Sequence, residues 1–545
     1  MEVIHCTTPT IINWFRPGLL LGLGLWVLSS VASGAEHPVV HAAGEELHGR
    51  WSEQTVPVAE FLGIPFAAPP VGDLRWRAPQ EPKPRTEPQS ATRFAPACMQ
   101  GSSNVDWYAS VASAFGYGRE VVGRPDSVSE DCLYMNVWTP DPGGSRNLPV
   151  MVFVHGGSNK GGWSYEPNYI GARLAARGVV VVTITYRLGP FGFFAHPALT
   201  NETGEPRANF ALLDIEAAFR WVRDHIRAFG GAPGNITAFG ESSGAASLTD
   251  LLLASAVSPR SGPLPFRRLI AQSAPLGLAA RRTLEEEQAL GLELVSYLGV
   301  DGPVGADRLR NIPAEDLLAA ADRLPTDHYF DAAIDGDILP ADLLRWLDKA
   351  RLSGVEIILG TNADEWLMYI DENATSEDLG QWIRDHAPQH RDELLDAVSD
   401  EPDPRRKLDR VTTAHDMLCA SRYLAERIND AGGRGWIYLF SRQRSGKGGD
   451  KLGAYHGAEL PYVFDSHDAW LRVEKADRRL TDAVQDYWLH FAKTGKPAPE
   501  GQPAWPVYTR ENPLVLELGE AVKLRKSETG SLCGIFRAAS TEGTE

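Results

Sequence analysis

Residues 239–247 read FGESSGAAS, and Gly240-Glu241-Ser242-Ser243-Gly244 within them fits the pattern G-x-S-x-G. For Ser242 to act as a nucleophile it must project from a tight strand-to-helix turn, where side chains at the flanking glycines would collide with neighbouring backbone. A strand should therefore precede it and a helix follow. Asn235-Ile236-Thr237-Ala238-Phe239 is a short apolar, β-branched run after the turn signal Gly230-Gly231-Ala232-Pro233-Gly234. Downstream, residues 244–253 (GAASLTDLLL) are rich in the Ala and Leu that favour helix. Both flanks meet the demand.

The same alternation extends through the chain. Apolar runs at Pro149–Val154, Val179–Tyr186, Ile236–Phe239, Leu269–Gln272, Val355–Leu359 and Trp436–Phe440 read as buried strands, with helical patterns between them at Phe210–Phe229 and Asp477–Lys493. Nearly continuous apolar strands alternating with helices predict an α/β fold, a large and mostly parallel central sheet covered on both faces. Gly-rich stretches such as Asp141–Ser145 and Ser445–Gly449 read as short loops rather than linkers. No repeat or low-complexity tract divides the chain, so residues 36–545 are expected to form one domain.

The first 35 residues differ in character. Arg16 precedes the apolar run Gly18–Leu28, and small residues follow from Ser29 to Ala35, the pattern of a secretory signal peptide cleaved near Ala35. The run is short of the roughly 20 apolar residues of a membrane span, so no stable membrane insertion is expected after cleavage, and the mature chain is expected to be secreted or periplasmic. Cys6 leaves with the signal, and Cys98, Cys132, Cys419 and Cys533 remain. An even number in an exported chain predicts two disulfides, for which three pairings are open. No Cys/His cluster or H-E-x-x-H suggests a metal site. A net charge of -18 and a pI of about 5.3 argue against nucleic acid and anionic membrane surfaces as partners.

Acyl transfer through serine also needs a base, a group that orients it, and donors for an oxyanion. The strand Val150–Val154 runs into His155-Gly156-Gly157-Ser158-Asn159-Lys160-Gly161-Gly162, a Gly-rich turn able to leave backbone N–H groups free. His456 stands in a loop between Gly453 and Gly457, and is a candidate base. Asp364 and Glu365 leave the end of the Val355–Leu359 strand, the edge where open α/β sheets carry their sites, and spacing does not choose between them.

Several segments together resemble the type-B carboxylesterase and cholinesterase family of α/β-hydrolases: Phe61–Gly72 (FLGIPFAAPPVG), Glu130–Val137 (EDCLYMNV), Tyr186–Phe193 (YRLGPFGF), Phe229-Gly230-Gly231, and Tyr487–Gly495 (YWLHFAKTG). They lie in the family's order across nearly all of the mature chain. The resemblance implies an α/β-hydrolase fold with long loop and helical insertions, and a carboxylic ester hydrolase with Ser242 as nucleophile, Glu365 as triad acid and His456 as base. Oxyanion donors would be the N–H groups of Gly157, Ser158 and Ser243. It implies Cys98–Cys132 and Cys419–Cys533 disulfides, which by loop length would contribute roughly 4 and roughly 5 kcal/mol. It implies no cofactor, and a small-molecule ester as substrate. Glu241 and Glu459 would face each other near the triad with Ser273 close by; two such carboxylates, poorly solvated, should not both ionise easily.

Four positions depart from the family pattern. Ser158 and Asn159 stand where a third glycine and an aromatic residue are usual, and a positive φ at Ser158 would strain it. Ser243 replaces the common alanine, and Trp366 follows the acid in place of a small residue. Trp107, Tyr108, Phe115 and Tyr117, between Cys98 and Cys132, either line an aromatic entrance or serve packing. The competing reading from another class is a non-catalytic adhesion module on the same fold; within enzymes the alternatives are a lipase or an amidase.

Overall fold

The computed structural model describes residues 37–203, 207–257, 266–276, 281–300, 304–325, 329–340, 352–526 and 532–537. The segment expected to be an export signal lies outside them. Among the described residues, eleven strands form one sheet: β1 (Arg50–Trp51), β2 (Ala59–Pro65), β3 (Tyr134–Thr139), β4 (Leu148–Val154), β5 (Val180–Ile184), β6 (Gly231–Glu241), β7 (Arg268–Gln272), β8 (Glu356–Asn362), β9 (Arg434–Phe440), β10 (Leu514–Leu518) and β11 (Val522–Lys526). Their order across the sheet is β11-β10-β9-β8-β7-β6-β4-β5-β3-β2-β1. Pairing is parallel from β5 to β10 and antiparallel at both edges. The expected apolar runs fall on β4 to β9; β10, which pairs in parallel with β9, is not among them, and the antiparallel edge strands carry mixed sequences that periodicity does not single out.

The middles of the central strands are mostly apolar because each face is covered. Val150, Val152 and Val154 of β4 pack with Phe210, Leu212, Ile215 and Phe219 of helix α1 (Phe210–His225). The intervening Met151 and Phe153 pack with Tyr487, Trp488 and Phe491 of helix α2 (Lys475–Thr494). Alternation of period two sorts one continuous run into two cores, and each fully buried large side chain contributes about 1.5–3 kcal/mol over its exposed state. The helical pattern at Phe210–Phe229 is broken into α1 and a 3₁₀ turn, Ile226–Phe229, which ends on Gly230 with φ 77°. β6 begins at Gly231, inside the expected turn, with a register shift before Ile236. The expected loop at Ser445–Gly449 gives way to a short helix, Lys447–Leu452, after Gly446.

The register sets the site. Gly240 pairs with Val154, Glu241 with Gln272, and Gln272 with Gly360, so the chain leaves β4, β6, β7 and β8 along one carboxyl edge. At β6 it turns directly into helix α3 (Ser242–Val257), with Ser242 in the left-handed region at φ 53°. A Cβ on Gly240 would lie 2.9 Å from the Val154 carbonyl oxygen, and one on Gly244 would run into the Val154 and His155 carbonyls. Neither position admits a side chain without moving β4. Gly244→Ala is therefore expected to destabilise by about 1–3 kcal/mol or more, whereas Gly234→Ala, with nothing within 4 Å of its Cβ, should leave the denaturation midpoint nearly in place. Equal midpoints would contradict this packing.

Candidate active site

Ser242, His456 and Glu365 meet at the carboxyl edge. His456 Nε2 lies 2.9 Å from Ser242 Oγ, and His456 Nδ1 lies 2.6 Å from Glu365 Oε2. The Glu365 side chain is fully buried, and its second oxygen accepts the Asn362 backbone N–H at 2.6 Å. Asp364 does different work: its Oδ2 accepts the Ala454 N–H at 2.8 Å and its own N–H donates to the Ala454 carbonyl at 3.1 Å, fastening the loop that carries His456. Of the two adjacent acids that spacing left open, Glu365 reaches the imidazole.

The Gly-rich turn after β4 lies beside this trio. Gly157 and Ser158 line a cavity of about 380 Å³ together with Ser242, His456 and Glu241. A Cβ on Gly156 would fall 2.6 Å from Glu241 Oε2 and 2.8 Å from Ser242 Cβ, so the turn approaches as closely as glycine allows. Ser158 has φ 55° and Asn159 φ 57°; the strain foreseen at Ser158 is present, at a cost of about 1–3 kcal/mol. Ser243 lies in the first turn of α3, where helical N–H groups have no partner within the helix and the dipole is positive.

Carboxylates crowd the imidazole. Glu241 Oε1 stands 3.2 Å from His456 Nε2. Burial and the nearby Glu459, Glu365 and Glu166 push Glu241 up to about 8, with His456 pulling the other way. Burial disfavours the His456 cation, but Glu241, Glu365 and Glu459 outweigh it and push His456 up to about 9. A Glu241 that keeps its proton near neutrality removes one of the charges that hold His456 up. Glu459 is itself raised by burial, opposed by the bonds it accepts from Asn362 Nδ2 at 2.7 Å and Gln272 Nε2 at 3.0 Å. Ser273 follows β7 at φ 48°, and its buried hydroxyl bonds to neither carboxylate among the described residues.

Sequence reasoning passed over three residues here. Asn362 ties Glu365, Glu459 and the Tyr455 carbonyl, 2.8 Å from its Nδ2, into one frame. Gln272 joins Glu459 to Trp488, whose Nε1 donates to its Oε1 at 3.1 Å. Buried Glu166 accepts from Tyr108 Oη at 2.6 Å, Asn104 Nδ2 at 2.8 Å and the Trp163 N–H at 3.0 Å, linking the helix Ser103–Ala114 to the chain after the Gly-rich turn. Gln272 and Asn362 sit at strand ends and Glu166 precedes Pro167, all visible in the sequence; most of their partners lie far away in it. Of the four aromatic residues before Cys132, Trp107 and Tyr108 line the cavity, while Phe115 and Tyr117 pack against Trp470. Trp107 Nε1 donates to Tyr369 Oη at 2.8 Å. Cys98 is joined to Cys132, and Cys419 to Cys533. Among the described residues no helix is long and apolar enough to cross a membrane, and no group of three His, Cys, Asp or Glu side chains could hold a metal ion.

The sheet order, the sharp turn at Ser242 and the loops gathered at the carboxyl edge are those of an α/β-hydrolase. The chain belongs to the carboxylesterase family, whose model matches residues 36–533. It is 34% identical over 488 residues to the para-nitrobenzyl esterase of Bacillus subtilis, covering 86% of this chain and 92% of that one. Against the fumonisin B1 esterase of Sphingopyxis macrogoltabida it is 35% identical over 490 residues, 84% and 83% of the two chains. Among solved structures, a PNB esterase superposes with a TM-score of 0.76 at 30% identity, covering 92% of this chain and 99% of that one. The Geobacillus stearothermophilus carboxylesterase EST55 superposes with a TM-score of 0.76 at 29% identity, covering 92% and 100%.

The carboxylate cluster has a titration signature. A neighbouring anion stabilises the imidazolium, so Glu241→Gln, which removes that anion and nearly preserves shape, should let His456 lose its proton at lower pH. Following the His456 ring protons by NMR from pH 5 to 10 measures this. An unmoved or upward-moving midpoint would show that Glu241 does not hold the proton on His456.

Proposed function

We propose that this protein is an exported serine carboxylesterase that hydrolyses small carboxylic esters through an acyl-enzyme on Ser242. The observation that carries the reading is the unbroken chain Ser242 Oγ–His456–Glu365, at 2.9 and 2.6 Å, beside Gly157 and Ser158 in a cavity of about 380 Å³, within the range of small-molecule sites. His456 Nε2 takes the hydroxyl proton as Ser242 Oγ attacks the ester carbonyl. Glu365 keeps the other ring nitrogen protonated and stabilises the cation. The tetrahedral oxyanion is held by the N–H groups of Gly157, Ser158 and Ser243. The C–O bond to the alcohol breaks as His456 returns the proton to it; water, deprotonated by His456, then releases the acid from Ser242 by the same steps.

Export rests on residues 1–35, where an apolar run precedes small residues, and it agrees with two disulfides, which persist in oxidising compartments. The mature chain would work outside the cytoplasm as a single domain from residue 36, secreted or periplasmic.

Ser242→Ala should lower ester hydrolysis more than about a thousandfold with an unchanged melting temperature. Wild-type-like turnover would end the serine mechanism. Glu365→Gln should cut kcat severely because an amide cannot stabilise the imidazolium, while Asp364→Asn should act mainly through the melting temperature. Side-by-side kinetics and melting curves decide, and the opposite ranking would move the acid role to Asp364.

A further inference from the structure

Asn159 has every polar atom engaged. Its N–H donates to Ser243 Oγ at 3.2 Å, and its carbonyl accepts the Gly189 N–H at 2.6 Å. Its Oδ1 accepts from Tyr186 Oη at 3.4 Å, and its Nδ2 donates to Asp331 Oδ1 at 2.6 Å. It is 3% exposed, and its φ of 57° is one that asparagine tolerates better than most residues. The residue before it is Ser158, and the residue it grips through its N–H is Ser243. Those are two of the three groups assigned above to the oxyanion.

We propose that Asn159, clasped by Asp331, is a positioning residue that sets the oxyanion-binding loop against the helix carrying Ser242. The inference rests on the serine esterase reading and adds to it a determinant at a position where the family usually has an aromatic side chain. An aromatic side chain could hold the loop by packing alone; here hydrogen bonds hold it. The tie at Asp331 is itself fixed. The same Oδ1 accepts the Ala332 N–H at 2.7 Å, and Arg281, which lies close enough to act on Asp331, is paired with Asp250 at 2.5 Å. On its other side the loop is held by the Tyr186–Phe193 segment. The single Tyr186 Oη proton is shared between the His155 carbonyl at 2.9 Å and Asn159 Oδ1 at 3.4 Å, and the ring stacks on His155 with centroids 4.6 Å apart.

A displaced donor costs transition-state binding and leaves ground-state binding largely alone. Asn159→Gly removes the side chain while permitting the same positive φ, so backbone strain does not confound it. Asp331→Asn keeps an oxygen that can accept from Asn159, and Asp331→Ala does not. The expectation is that Asn159→Gly and Asp331→Ala lower kcat about tenfold or more with KM within about twofold. Both should weaken a phenylboronic acid that forms a tetrahedral adduct on serine by a similar factor. Asp331→Asn should recover most of kcat, and the Asn159→Gly/Asp331→Ala double variant should fall no further than Asn159→Gly alone. Additive losses, an unaltered kcat in Asn159→Gly, or Asp331→Asn falling as far as Asp331→Ala would overturn the proposal. If Asn159→Gly does not fold, the two Asp331 variants decide alone. Ser242→Ala run in parallel separates the two levels: retained activity there defeats the esterase mechanism itself, whereas its loss beside an indifferent Asn159→Gly defeats only the clasp.

Discussion

The rest of the structure depends on how closely the turn at Ser242 approaches the end of β4. Gly240 and Gly244 present no Cβ to the Val154 and His155 carbonyls, and Gly156 presents none to Glu241 and Ser242. Three missing side chains let two neighbouring strand ends and a helix start share a space that β-carbons would fill. The Gly-rich loop is thereby placed beside the serine. Ser242 holds a left-handed φ of 53° that an isolated chain would rarely populate, and the packing of β4, β6 and α3 around it keeps it there.

The second constraint is electrostatic. Glu241, Glu365 and Glu459 are all buried around one imidazole, and a single cation could not compensate three carboxylate charges there. Part of the charge is dispersed instead into neutral donors: Asn362 serves Glu365 and Glu459, and Gln272 serves Glu459. The remainder is relieved by proton retention, as burial raises Glu241 and Glu459. Glu365 faces a backbone N–H and the imidazole, one on each oxygen.

The third feature is the connection of elements far apart in sequence to the loop after β4. Tyr186, Gly189, Ser243 and Asp331 all bond to Asn159, and Glu166 ties the helix Ser103–Ala114 to the chain a few residues beyond. The YRLGPFGF segment has its physical explanation here: Tyr186 and Gly189 bond to the loop, while Arg187 anchors the segment through a buried ion pair with Asp214 at 2.7 Å.

Sequence by itself marked six of the seven parallel-paired strands, because strands buried on both faces are apolar at most positions and Val150–Val154 or Ile357–Leu359 can be little else. It also determined the sharp turn at Ser242, since two glycines at fixed offsets around a serine have a steric reason that reads locally. The antiparallel edges escaped it, as β2 and β3 mix polar and apolar residues with no clean period. Choice between Asp364 and Glu365 rested on family resemblance, for one residue of spacing carries no information about which side chain reaches an imidazole 91 residues later. Asn362, Gln272, Glu166 and the bond between Asn159 and Asp331 were decided by tertiary structure alone. A hydrogen bond needs its two atoms within about 3 Å, and only the assembled sheet, by setting the register of its strand ends, brings residues 172 positions apart to that distance.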